Sequence, residues 1–353
     1  MKILSRFALL AAGAISACSS SKPAAASSSA DTVVTHVDER EVRAFESAIA
    51  DDSLEGRATG SRGSAKAAAI IANAMRAAGL EPAGDSGFFQ RVPVAVALGR
   101  NGDERLSPFS SFAALDTVPA ARRRTAVNVL GILPGGDPKM REQVVLVDAH
   151  YDHLGIGRPV NGDAIYNGAD DDASGTTGVV EIARALAKGP RPKRTIIFAA
   201  TTGEEVGLLG TQWYIDHPAR PLASMVANLE IEMIGRPDSL AGGAGKAWLT
   251  GFDRSTMGEK LAAAGIAIVA DPRPDQQFFQ RSDNIAFAMK GIPAHTLSTY
   301  NMHTDYHTPA DDISRVDFPH MTAVINSALA AVRVLANDAA PTWKPNGRPG
   351  GKP

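Results

Sequence analysis

The spacing of apolar residues changes character near residue 126. Ahead of it, residues 40–49 and 63–78 repeat at helical spacing, and the second, alanine-rich stretch is stopped by Gly79. Between them Leu54-Glu55-Gly56-Arg57-Ala58-Thr59-Gly60-Ser61 is a glycine-punctuated loop. Residues 88–98, interrupted by Pro93, read as an exposed strand, and residues 99–121 as a polar loop too short for a domain of its own. Beyond 126, unbroken apolar runs at 144–147 and 195–200 carry the signature of strands covered on both faces. A helical stretch at 177–187 separates them, which makes a strand–helix–strand unit and a parallel pair. A helix at 208–215, strands at 225–231 and 294–297, and a last helix at 320–337 complete the pattern. The expected fold class is α/β: one domain, residues 37–338, with a central mixed, mostly parallel β-sheet flanked by helices. Residues 339–353 are rich in proline and glycine and are expected to be disordered.

The N-terminus lies apart from this pattern. Lys2 and Arg6 precede an apolar stretch, residues 7–15, that is too short to span a bilayer. Ile15-Ser16-Ala17-Cys18 then resembles a bacterial lipobox, so residues 1–17 are expected to be a lipoprotein signal peptide and Cys18 the lipidated residue. Residues 18–36 are a Ser/Ala-rich tether. The chain is expected to be exported and anchored by lipid on the periplasmic side of a bacterial membrane, and Ser19 favours the outer one. Cys18 is the only cysteine, which rules out disulfides within the chain. The formal charge of −2 gives no reason to expect a nucleic-acid surface.

Candidate chemistry gathers where the strands are expected to end. His150-Tyr151-Asp152, Gly203-Glu204-Glu205 and Glu230-Ile231-Glu232 each follow or close an apolar run. That edge of an open α/β sheet is where ligands bind. Asp170-Asp171-Asp172 sits between Gly168 and Ser174-Gly175, just ahead of a helix, and His303-Thr304-Asp305-Tyr306-His307 forms a polar loop. Adjacent acids repel unless cations compensate them. Each cluster alone has a plainer explanation: a helix cap, acids at a helix N-terminus, a structural histidine. Together they supply nitrogens, carboxylates and a spare acid in the proportions a pair of divalent ions requires. With residues i and i+2 of an extended segment on one side, Asp152 is expected to accept from the ring of His150, and His153 to point away.

Gly168 to Gly175, Gly203-Glu204-Glu205 and Tyr306-His307-Thr308-Pro309 make the set resemble the M28 family of zinc peptidases over nearly the whole mature chain. The resemblance implies two Zn2+ per chain. His150 and Glu232 would hold one, Glu205 and His307 the other, and Asp171 would bridge them ahead of a cis peptide bond to Asp172. Glu204 would be the general base and Asp152 would orient His150. The family has aspartate more often at the place of Glu232. It also has members with a tyrosine supporting the oxyanion where this chain has Phe278 and Phe279, so Arg281 or Tyr300 is expected to line the substrate pocket instead. The implied activity is removal of N-terminal residues from peptides with a free α-amino group. A carboxypeptidase or dipeptidase, a glutaminyl cyclase and a non-catalytic binding relative are the alternatives. No Gly-x-Ser-x-Gly and no phosphate-binding glycine loop occurs, which argues against a serine hydrolase and a nucleotide cofactor.

Overall fold

The structure is a computed structural model, and the residues it describes are 36–98 and 104–350. The signal peptide and Cys18 lie outside them.

Helix α1 (Glu39–Ile49) begins where the Asp38 carboxylate accepts from the backbone N–H of Arg40. A tight turn (Asp52–Arg57) leads into α2 (Arg62–Ala77), capped by Ser61 on the N–H of Ser64. Then come β1 (Glu81–Pro82), β2 (Phe89–Leu98), β3 (Glu104–Pro108), α3 (Phe112–Leu115) and β4 (Arg123–Leu133). Next are β5 (Val144–His150), a hairpin of β6 (Gly155–Val160) and β7 (Asp163–Tyr166), α4 (Gly175–Ala187), β8 (Thr195–Thr201) and α5 (Leu209–Asp216). The chain continues through β9 (Met225–Glu232), β10 (Ala247–Leu249), α6 (Met257–Ala263) and β11 (Ile268–Ala270), and closes with α7 (Asn284–Met289), β12 (Ala294–Ser298) and α8 (Phe318–Asn337).

One large sheet runs in the order β11-β10-β12-β9-β5-β8-β4-β2-β3, with β1 beside β4. Its central strands β12, β9, β5 and β8 are mutually parallel, and the strands from β4 outward are antiparallel. The fold is the expected α/β sandwich with a mixed sheet, mostly parallel at its centre. Every residue of β5 and β8 is buried because both faces are covered. Val145, Val147, Ala149, Ile196 and Phe198 face the core shared with α1, α2, α4 and α8. Val144, Leu146, Ile197 and Ala199 face Tyr214 of α5 and Phe287 of α7. Each valine, leucine, isoleucine or phenylalanine among them contributes about 1.5–3 kcal/mol on burial, and with both faces apolar the strand alternation is invisible as polarity.

Several expectations need correction. Strand β2 is not exposed: β3 covers its outer edge from Val94 on, and Val92, Val94 and Ala95 are buried. Pro93 is tolerated there because it precedes the stretch paired with β3. The polar stretch before β4 holds β3 and α3 as well as loop. Residues 339–350 are not disordered but packed. The Trp343 indole donates to the carbonyl of Gly291 (2.9 Å), Lys344 N donates to Arg254 O (3.0 Å), and Pro341 is buried. An aromatic anchor outweighs the proline and glycine around it.

Candidate metal centre

The carboxyl ends of β5, β8, β9 and β12 lie side by side, and the loops leaving them build one site. Strand β5 ends on His150 and β9 on Glu232. Glu204 and Glu205 occupy a turn after β8 rather than the start of a helix, since α5 begins only at Leu209. The acid loop enters from β7 through Gly168 at φ +56 and carries the cis Asp171–Asp172 bond. A side chain at Gly168 would place its Cβ 2.5 Å from Cγ of His153 and 2.1 Å from the carbonyl oxygen of Asp171, so the loop can close on the site only with glycine there.

Asp171 stands at the middle. Its Oδ1 lies 3.3 Å from Nε2 of His150, and its Oδ2 lies 3.1 Å from Nε2 of His307. His307 Nε2 is also 3.2 Å from Glu205 Oε2, and His153 Nδ1 is 2.8 Å from Glu205 Oε1. Among the described residues, His153, Asp171, Glu205 and His307 present donor atoms all within 4.8 Å of one another. Glu232 stands beside this group rather than in it, lining a pocket with Met233, Trp248, Phe278, Tyr300 and Tyr306. Arg281 also lines that pocket, its guanidinium 5.0 Å above the Phe278 ring.

Two expectations about this region fail. His153 points inward: β5 stops at His150, so strand alternation no longer governs the next turn. Asp152 does not hold His150 through its carboxylate, which lies 3.9 Å from Nδ1; the backbone carbonyl of Asp152 does so at 3.1 Å. The carboxylate instead accepts from Thr59 Oγ1 (2.8 Å) and from the backbone N–H of Glu204 (3.2 Å). It therefore fixes the candidate base.

The frame around the cluster went unread in the sequence. Arg57, fully buried, donates to the carbonyls of Tyr151 (2.7 Å), Ile49 (2.8 Å), Asn167 (2.6 Å) and Gly168 (2.9 Å), clamping the His150 and Asp170 loops together. Asp311 accepts from the backbone N–H groups of Asp170 and Asp171 and pairs with Arg236, whose other arm reaches Asp305. That ties the His307 loop to the acid loop. His303 bonds Asp170 at 3.0 Å and is not in the cluster. Glu230 is spent on Thr296 Oγ1, Ser282 Oγ and the N–H groups of Asp283 and Asn284 that open α7. Only the glycine-punctuated Leu54–Ser61 signal hinted at any of this.

In the cluster itself the polar atoms are unmatched. His150 Nε2, His153 Nδ1, His307 Nε2 and Glu205 Oε1 are buried and make no aligned hydrogen bond, although their neighbours are near. Short approaches without alignment are what donors sharing one further partner show, and buried polar groups are costly without a partner. Imidazole nitrogens with carboxylate oxygens suit zinc. The residues present therefore fit a divalent metal.

Charge tells the same story. Burial pushes the Asp171 carboxyl up, but the adjoining His150 and His307 overcome it and hold the group below its usual range. Burial and the nearby Glu230 push Glu232 up to about 8. Burial also drives Glu204 well up, reinforced by Glu232 and Asp283 against the pull of His150. Burial depresses His307, yet Asp171 and Glu205 raise it to about 10. Burial lifts the Tyr306 hydroxyl too, helped by the charges of Asp171, Glu205, Glu232 and Glu204. This tyrosine stacks on His307 with ring centroids 3.8 Å apart and is a site residue the sequence reading left out.

Fold and donor set together define a metal-site α/β protein. Residues 128–332 match the profile of Peptidase family M28, and the chain belongs to that family. A stretch of 190 residues is 31% identical to Leucine aminopeptidase 2 of Trichophyton equinum, taking in 52% of this chain and 36% of that protein. The chain thus spans about a third of that curated relative. BSAP, a zinc aminopeptidase from Bacillus subtilis, superposes with a TM-score of 0.61 at 18% identity, covering 85% of this chain and 96% of that one. Glutaminyl cyclase of Porphyromonas gingivalis gives 0.57 at 17% identity, covering 84% and 98%. At such identities the likeness is one of fold.

Proposed function

We propose that the protein is a two-zinc exopeptidase that hydrolyses the first peptide bond of peptides with a free N-terminus, tethered outside the cytoplasm by lipid on Cys18. The observation that carries this reading is Asp171, whose two carboxylate oxygens face two different unmatched imidazoles, His150 and His307. That is the arrangement of a carboxylate shared by two ions.

One ion would be held by His150 and Glu232, the other by Glu205 and His307, with Asp171 between. Bound there, the pair would supply an acidified water and polarisation of the scissile carbonyl. Glu204 takes the proton from the attacking water and delivers it to the leaving amine. Its backbone is fixed by Asp152, and its raised affinity for protons suits a base. Carboxylates bordering the cluster, Glu204 among them, attract an α-ammonium, which selects a free N-terminus. Tyr306 and Tyr300 take the place of the hydroxyl donor that Phe278 and Phe279 lack. The pocket of Met233, Trp248, Phe278 and Tyr300 beside Glu232 faces the side chain of the first residue.

The experiment is turnover of aminoacyl chromogenic substrates, each beside its N-acetylated twin, before and after chelation and zinc readdition. Cleavage of free-amine forms alone, lost to chelator and restored by zinc, is expected. Release of pyroglutamate from N-terminal glutamine would move the protein to the cyclase reading. The tether predicts that Cys18→Ala moves the protein from the membrane to the soluble fraction.

A further inference from the structure

We propose that His153 is a fourth protein donor to the ion held by Asp171, Glu205 and His307, so that one metal position is closed by protein and the other is open. The inference deepens the two-zinc reading, since it needs a metal at this cluster. It differs from that reading in giving the two positions unequal character.

The distances carry it. A tetrahedral zinc with bonds of about 2.0–2.2 Å has donors about 3.3–3.6 Å apart along each edge. Here His153 Nδ1 lies 2.8 Å from Glu205 Oε1 and 3.8 Å from Asp171 Oδ2. His307 Nε2 lies 3.1 Å from Asp171 Oδ2 and 3.2 Å from Glu205 Oε2. These separations bracket a tetrahedron's edge, with His153 meeting the Glu205 carboxylate at Oε1 and His307 meeting it at Oε2. Neither His153 nitrogen finds a hydrogen bond although the side chain is fully buried. A neutral imidazole kept dry for packing alone would leave its polar atoms unsatisfied at a cost of about 1–3 kcal/mol each.

The placement is also built. The backbone N–H of His153 donates to Arg57 O (3.4 Å), and Arg57 in turn grips Tyr151 and Gly168 on either side. The ring fills the space that the missing side chain of Gly168 leaves. At the other position the donors assigned above are His150, Asp171 and Glu232, with no fourth, and Glu232 borders the pocket. Sites with four protein donors hold zinc structurally, whereas three leave a coordination place for chemistry. The closed position should therefore fill first and bind more tightly, and the open one keeps a coordination place for the substrate.

The test uses the purified full-length chain, stripped of metal and loaded with one equivalent of zinc, read by X-ray absorption at the zinc edge. Two imidazoles per zinc are expected in the parent and one in His153→Asn. Calorimetric titration should show the tighter equivalent weakened about 10- to 100-fold or more in His153→Asn, since even partners outside the ligand shell cost that much. The looser equivalent should be unchanged, while Glu232→Ala does the reverse. Matching circular dichroism of the metal-free proteins separates ligand loss from misfolding. One imidazole in the parent, with both equivalents intact in His153→Asn, overturns the proposal and leaves the two-zinc reading standing. A parent that binds a single zinc through two imidazoles upholds His153 and removes the two-zinc mechanism. No zinc binding at all overturns both.

Discussion

Two sets of buried charged groups lie within a few residues of one another and are treated in opposite ways. In the frame, Arg57 meets four backbone carbonyls, Glu230 receives donors on both oxygens, and Asp311 caps two N–H groups while pairing with Arg236. At the centre, His150 Nε2, His153 Nδ1, Glu205 Oε1 and His307 Nε2 are held equally firmly and matched by nothing. A chain that satisfies Arg57, Glu230 and Asp311 bond by bond has not packed its centre badly. The unmatched atoms are what the frame holds in place, and their chemistry suits a divalent cation.

The sharpest way to break the comparison is to neutralise an acid that belongs to neither set. Glu204 is assigned no ligand role, so Glu204→Gln should leave zinc content and melting temperature unchanged while turnover falls about 10²- to 10⁴-fold. Loss of zinc along with activity would make Glu204 a ligand. Undiminished turnover would remove it from the base role.

The frame answers to a different measurement. Arg57→Met removes the donors to carbonyls that stay buried, and each stranded carbonyl costs about 1–3 kcal/mol. Denaturant unfolding should register a total loss of about 4 kcal/mol or more, with zinc affinity falling because the His150 and Asp170 loops are no longer clamped. Stability within about 0.5 kcal/mol of the parent, the range that surface changes meet, would mean water replaces Arg57 and the frame is looser than its bonds imply.

This contrast also explains what could be read in advance. Strands β5 and β8 and helix α8 were legible because covering both faces of a sheet, or one long helix face, leaves a long apolar signal. Strands β10 and β11, three residues each, and the exposed hairpin β6–β7 carry too little apolar pattern to announce themselves. At the site, clustered acids and histidines marked Asp171, Glu205 and His307, which the fold does bring together. His153 was missed because strand alternation was carried past the residue where β5 ends. Arg57 was missed for another reason: an arginine in a loop reads as solvated, and only the tertiary fold shows its carbonyl partners.

Glu46 sharpens the rule from the other side, because it is a buried acid of the frame with one oxygen unmatched and no place in the His153–Asp171–Glu205–His307 donor group. Its Oε2 accepts from Thr177 Oγ1 (2.6 Å), while Oε1 finds no hydrogen-bond partner among the described residues. Burial pushes its carboxyl from 4.5 up to about 8, opposed by the Thr177 bond and the charge of Arg57, and assisted by Asp170 and Asp311. A proton, not a cation, then serves the unmatched oxygen. The folded chain binds that proton over a pH range in which the unfolded chain has released it, so its stabilising share is complete below about 4.5 and lost as pH rises through about 8. Glu46→Gln keeps a neutral side chain throughout. Urea unfolding of the metal-free proteins should find the variant's stability relative to the parent level at acid pH, then climbing by up to a few kcal/mol between pH 5 and 9. A difference that does not change with pH would show that Glu46 is charged in the fold, and that an unmatched oxygen can persist in the frame without either kind of partner.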